Sequence, residues 1–248
     1  MKKENHPFAA FWQMRGMQSM WVTRNYSYRL GAFIAMFSSR LGLSPNILSL
    51  LSVVITCCSC AIGVCLGQGN WLAGLVVIVG LQLGYAFDCA DGPLARATGK
   101  ESSFGSLFDK ICDLSSGMLF PCILAYGAGH YYYRGVVEAE MDYTLRVLLV
   151  VIISRAILNV LLWLKELVLH KTNRLQEDQR EHTLWWRIKR SAGLYIDEPV
   201  YRFGIGFAWA LDWFWEFVII YSLGIFVITT IYLWTSKKEM DLIDKASD

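Results

Sequence analysis

The sequence predicts an all-α, polytopic membrane protein: six transmembrane helices plus an N-terminal amphipathic helix lying in the membrane interface. Three observations carry this expectation. The 248-residue chain is 55% hydrophobic and 18% charged, whereas a soluble domain carries roughly 25% charged residues. Residues 41–87 contain no charged side chain, which leaves room for two spans at about 20 residues each. The Lys and Arg residues are gathered into a few segments that a six-span topology puts on one side. The net charge of +2 is uninformative beside that placement, and no nucleic-acid partner is expected.

The elements follow in chain order. In residues 1–44, Phe8, Phe11, Trp12, Met17, Met20 and Trp21 alternate with Arg15, Gln18 and Arg24, the composition of an interfacial helix. The arm shows no uninterrupted apolar region followed by a small-residue cleavage site, so the first span is expected to serve as the insertion signal. Ser44-Pro45 is a helix start, and the first span is expected over residues 46–66. Residues 67–70 form a turn, and the second span, residues 71–87, delivers the chain to Asp88, where Pro93 is expected to bend or restart the helix. The third span is expected over residues 104–132 and the fourth over 143–169, separated by an acidic loop at 134–142. The polar segment 170–197 is basic and carries Trp185 and Trp186 as interface anchors. Residues 200–236 divide into two spans at a turn near Asp212-Trp213, and Asp212 and Glu216 read as solvated there.

One catalytic membrane domain, residues 45–236, is thus expected between an interfacial arm, 1–44, and a polar tail, 237–248. An even number of spans puts both termini on one side. The same side holds residues 88–103 and 170–197 and nearly all the Lys and Arg, which the positive-inside rule assigns to the cytoplasm. The seven cysteines fall in or beside apolar stretches and read as small apolar filler.

Residues 88–113 carry the chemistry. Asp88 and Asp91 are three apart, and Asp109 and Asp113 are four apart, so on helices each pair shares a face. Two such helices facing each other would bring the acids to one point and form a hard-cation site for Mg²⁺, Mn²⁺ or Ca²⁺. Four acids exceed what one Mg²⁺ needs, which leaves two metals, or three ligands and a base, as alternatives. The bland reading of Arg96 is a charge that balances those acids.

With its gaps, the stretch reads D-x2-D-G-x2-A-R-x8-G-x3-D-x3-D, fixed at Asp88, Asp91, Gly92, Ala95, Arg96, Gly105, Asp109 and Asp113. This resembles the signature of the CDP-alcohol phosphotransferase family of membrane enzymes, with no fixed position missing. The resemblance implies transfer of a substituted phosphate from a CDP-linked donor to an alcohol acceptor, with release of CMP, in phospholipid biosynthesis. It implies Mg²⁺ or Mn²⁺, one or two ions, held by Asp88, Asp91 and Asp109. Asp113 is then the base, in contact with a second ion where there is one. It also implies a nucleotide against Asp91, Gly92, Ala95, Arg96 and Gly105. The small residues admit it close to the backbone, and the guanidinium suits its pyrophosphate. A homodimer in the lipid bilayer is expected.

Donor and acceptor are open. One branch of the family joins CDP-diacylglycerol to a small polar alcohol. The other gives the head group of CDP-choline or CDP-ethanolamine to diacylglycerol. Residues 107–113 are similar to the second branch's L-F-D-H-G-C-D, but Lys110 and Ile111 replace its His and Gly. The compact layout favours CDP-diacylglycerol. A cation transporter using the intramembrane acids is the alternative from another class, and it needs acids near the bilayer midplane. Arg155, in the middle of the fourth span, is expected to face a polar cavity and hold the acceptor or its phosphate. An ion pair or a subunit contact is the structural alternative.

Overall fold

The computed structural model describes residues 8–14, 21–132 and 197–247, and among them every regular element is helical. The elements are α1 (Phe8–Gln13), a π-helical turn (Thr23–Ser27), α2 (Tyr28–Leu41), α3 (Pro45–Leu66), α4 (Trp71–Thr98), α5 (Ser103–Tyr132), α6 (Glu198–Ala210) and α7 (Phe214–Ser247). Three of them, α3, α4 and α5 as far as Gly129, are long and apolar enough to cross a membrane. The apolar stretch of α7, Phe214–Ile228, is shorter, and α6 has only 13 residues. The expected fourth span, with Arg155, lies outside the described residues.

Local sequence accounts for the helix ends. Ser44 is extended ahead of Pro45, which occupies the first turn of α3 without needing an N–H donor. Asn70 caps α4 by accepting from Leu72 N at 2.9 Å. Gly42 and Gly99 close α2 and α4 in the left-handed conformation, at φ 75° and 63°. The next amides, of Leu43 and Lys100, then reach back to Ser38 O at 3.0 Å and Ala95 O at 2.9 Å.

The second span departs from expectation. Instead of ending near Phe87 or restarting at Pro93, α4 runs unbroken to Thr98 and carries the first half of the acidic stretch as helix. Pro93 removes one backbone bond, but it is buried along with Ala90, Asp91 and Leu94, and packing around that turn holds the helix. The expected polar tail is helical as far as Ser247, where α7 ends.

Two apolar clusters share α4. One joins α3 to α7 through Cys60, Val77, Leu81, Phe120, Leu124, Tyr201, Trp209 and Phe214. The other seats Phe11, Ala32, Ala35 and Leu48 on Ala90 and Leu94. Contact between α3 and α4 is close. A Cβ on Gly80 or Gly84 would collide with Ser59 or Thr56, the small-residue packing that membrane helices use. At one end of the bundle Gly69 N donates to Trp209 O at 3.0 Å, so the 67–70 turn sits beside Asp212. The acids lie toward the other end of α4.

Candidate active site

Two helices present the acids to each other. Asp88, on α4, and Asp109 and Asp113, on α5, each offer a carboxylate oxygen, and these three oxygens lie within 4.8 Å of one another. The carboxyls of Asp88 and Asp113 face each other, as do those of Asp91 and Asp109. Two unit charges at such a range repel by about 3.5 kcal/mol at an effective dielectric of 20. A divalent cation would offset that cost, and an all-oxygen donor set suits a hard one. The residues therefore fit the ion that the signature implies.

Exposure separates the four. Asp113 is exposed, Asp88 and Asp109 are half-buried, and Asp91 is 8% exposed. Asp91 stands beside the group of three and accepts a 2.5 Å hydrogen bond from Ser49 Oγ on α3. Gly92 lies under the Arg96 guanidinium, since a Cβ there would come to 3.0 Å from Nη2. Arg96 is itself exposed and donates from Nε to Met14 O at 2.6 Å. Gly105 opens α5, its amide donating to Ser102 Oγ at 2.9 Å, and a Cβ on it would come to 3.4 Å from Asn46 Oδ1. Ala95 is half-buried on the last turn of α4. Arg155 is outside the described residues.

Sequence reasoning missed two features. The first is a buried polar stripe on α3: Ser49, Ser52, Thr56 and Ser59, followed by Gly63. The 3-4-3 spacing of these hydroxyls within an apolar span is a legible helical face. The second is Arg202 on α6, only 4% exposed. It pairs with Glu198 at 3.2 Å and donates from Nη1 to Leu81 O at 3.2 Å and Thr56 Oγ1 at 3.4 Å. From Nη2 it donates to Ser116 Oγ at 3.5 Å. Its guanidinium lies 5.1 Å from the Tyr85 ring centre and 5.3 Å from that of Phe120. Ser116 Oγ in turn donates to Asp113 O at 3.2 Å.

Two helices bearing acid pairs at the signature spacing, inside a bundle of membrane-length helices, define a class. The chain belongs to the CDP-alcohol phosphatidyltransferase family, whose model matches residues 43–197, more than half its length. It is accordingly an integral membrane protein of a transferase family. The chain is similar to the archaetidylinositol phosphate synthase of Pyrococcus horikoshii, 40% identical over 73 residues. That match covers 29% of this chain and 36% of the relative, so the chain aligns with about a third of the relative's length.

Proposed function

We propose that the protein transfers the lipid-phosphate group of a CDP-diacylglycerol-type donor to the hydroxyl of a small polar alcohol, with Mg²⁺ or Mn²⁺ at the acids. The observation that carries this reading is the convergence of the Asp88, Asp109 and Asp113 carboxylates within 4.8 Å. Asp88, Asp91 and Asp109 would hold the ion, and Ser49 orients Asp91. When bound, the metal neutralises charge on the donor phosphates and leaving group. Arg96, above Gly92, pairs with the pyrophosphate, and Ala95 and Gly105 leave room for the nucleotide. Asp113, the exposed acid, accepts the acceptor's hydroxyl proton. The acceptor oxygen bonds to the donor phosphorus that carries the lipid as the P–O bond to CMP breaks, and CMP leaves with the bridging oxygen.

The donor branch is supported by the relative's name, which pairs an archaetidyl group with an inositol phosphate. Replacement of the second branch's His and Gly by Lys110 and Ile111 points the same way. The proposed frame is six spans with an interfacial arm, a catalytic domain over 45–236 and a tail over 237–248. Both termini and the acids are then cytoplasmic, and the working unit is a homodimer. Arg155 is proposed to hold the acceptor or its phosphate. Arg155→Ala should then raise the acceptor KM while sparing donor binding, and wild-type acceptor kinetics would remove it from the site. The deciding experiment offers purified protein a panel of labelled CDP-linked donors and alcohols and follows CMP release. Release from CDP-diacylglycerol that depends on a polar alcohol supports the reading. Release only from CDP-choline or CDP-ethanolamine with diacylglycerol transfers the protein to the other branch.

A further inference from the structure

The N-terminal arm lies ahead of the residues that the family model matches, and its contacts concentrate on the part of α4 that bears the acids. Thr23, in the π-helical turn, is 3.2 Å from Tyr85 Oη. Gly31 of α2 lies so close that a Cβ would come to 2.9 Å from both the carbonyl carbon and oxygen of Cys89. Ala32 and Ala35 pack with Ala90 and Leu94, and Met14 O holds Arg96. Tyr85, Cys89 and Arg96 stand at i, i+4 and i+11, one face of a helix that turns about 100° per residue. With Ala90 and Leu94 these contacts cover half the helix circumference, and Asp88 and Asp91 fall on the opposite half, so the arm supports the acids from behind without entering their cluster.

A latch keeps the arm in place. Asp197, at the start of α6 and 1% exposed, accepts from Val22 N at 2.9 Å and Thr23 N at 3.2 Å. Its other oxygen accepts from Thr23 Oγ1. A single buried carboxylate thus satisfies two backbone amides and a hydroxyl where the π-helical turn begins, and such turns are frequent at functional sites. We infer that residues 21–41 form a strut that sets the position of Asp88 and Asp91, that Asp197 latches the strut, and that Thr23, Gly31 and Asp197 are positioning residues for the reaction. Ligand constellations must be held within about 0.5 Å, and relieving a Cβ on Gly31 that stands 2.9 Å from the Cys89 carbonyl consumes that tolerance.

The inference rests on the metal reading of the acids, and the test separates the two. Full-length protein in detergent is titrated with Mn²⁺ and followed by electron paramagnetic resonance, with Asp109→Asn as the control for the metal reading. Alkylation of Cys89, buried at 7% exposure, is followed by peptide mass spectrometry. Gly31→Ala, Asp197→Asn and Thr23→Val should each weaken Mn²⁺ binding by about tenfold, the lower end for lost supporting contacts. They should also speed Cys89 alkylation and lower kcat, and Thr23→Ser should restore all three. Faster alkylation with wild-type Mn²⁺ affinity and kcat overturns the inference, because the arm then only covers α4. So does unchanged protection of Cys89 in Asp197→Asn. If wild type and Asp109→Asn bind Mn²⁺ equally poorly, the metal reading has failed. The strut is then decided by turnover, and wild-type kcat in Gly31→Ala, or in Thr23→Val should Gly31→Ala not fold, sinks it.

Discussion

Two charged clusters among the described residues, one at Asp88 and one at Arg202, are built on opposite rules. Around Arg202 the charge is balanced and the donors are engaged: Glu198 takes Nε, Leu81 O and Thr56 take Nη1, and Ser116 takes Nη2. Two aromatic rings close over the guanidinium. At Asp88 three acids of one sign stand within 4.8 Å of one another, and one of them is exposed. The first arrangement is complete without a ligand. The second carries a repulsion that a bound cation or a proton would relieve, and that difference separates a structural cluster from a site.

Removing the ion should produce the largest effect and would break the comparison if it did not. Excess chelator is expected to take CMP release to background, with recovery on Mg²⁺ or Mn²⁺ but not Zn²⁺, because the donors are oxygens. Full activity in chelator would mean that protons alone stabilise the acid cluster. Next, Asp113→Asn should lower turnover by about 10²–10⁴-fold, the range for a lost general base, while metal-dependent CDP binding stays within a fewfold of wild type. Loss of CDP binding as severe as in Asp91→Asn would make Asp113 a ligand.

The other cluster predicts a different failure. Arg202→Ala should destabilise the fold by about 3–5 kcal/mol, the cost of leaving a buried partner unpaired, measured by unfolding in detergent. Asp109→Asn should leave the melting temperature level or higher, since it removes like-charge repulsion. Equal destabilisation by both changes would erase the distinction. The smallest effect sharpens the boundary of the site. Ser49→Ala should raise the Mn²⁺ Kd by about 10-fold, at the low end for lost supporting contacts, with Ser49→Thr restoring it. An unchanged Kd would place Ser49 with the structural hydroxyls of α3.

Some of this organisation was readable from particular residues. Ser44-Pro45 marked the start of α3, Gly67 and Asn70 bounded the turn into α4, and Phe104 lay one residue from the start of α5. The signature spacing also pointed to the family. The continuation of α4 without a restart at Pro93 was not legible, because a proline's local cost is visible in sequence and the packing that offsets it is not. The roles of Ser49 and Arg202 were not legible for a related reason. A hydroxyl in an apolar span, or an arginine in a short apolar helix, has no assigned role until its partner is known, and those partners are 42 and up to 146 residues away.

By itself the sequence determined the helical membrane character, the family and the residue types of the acid cluster. These follow from composition, from charge-free length and from spacing within a single stretch, all of which are local. Only the tertiary structure decided which acids stand together, that Asp91 leans on Ser49 while Asp113 is exposed, and that the N-terminal arm abuts Cys89. Distances between helices depend on how small residues such as Gly31, Gly80 and Gly84 let backbones approach. That approach is a property of pairs of surfaces, and no single segment encodes it.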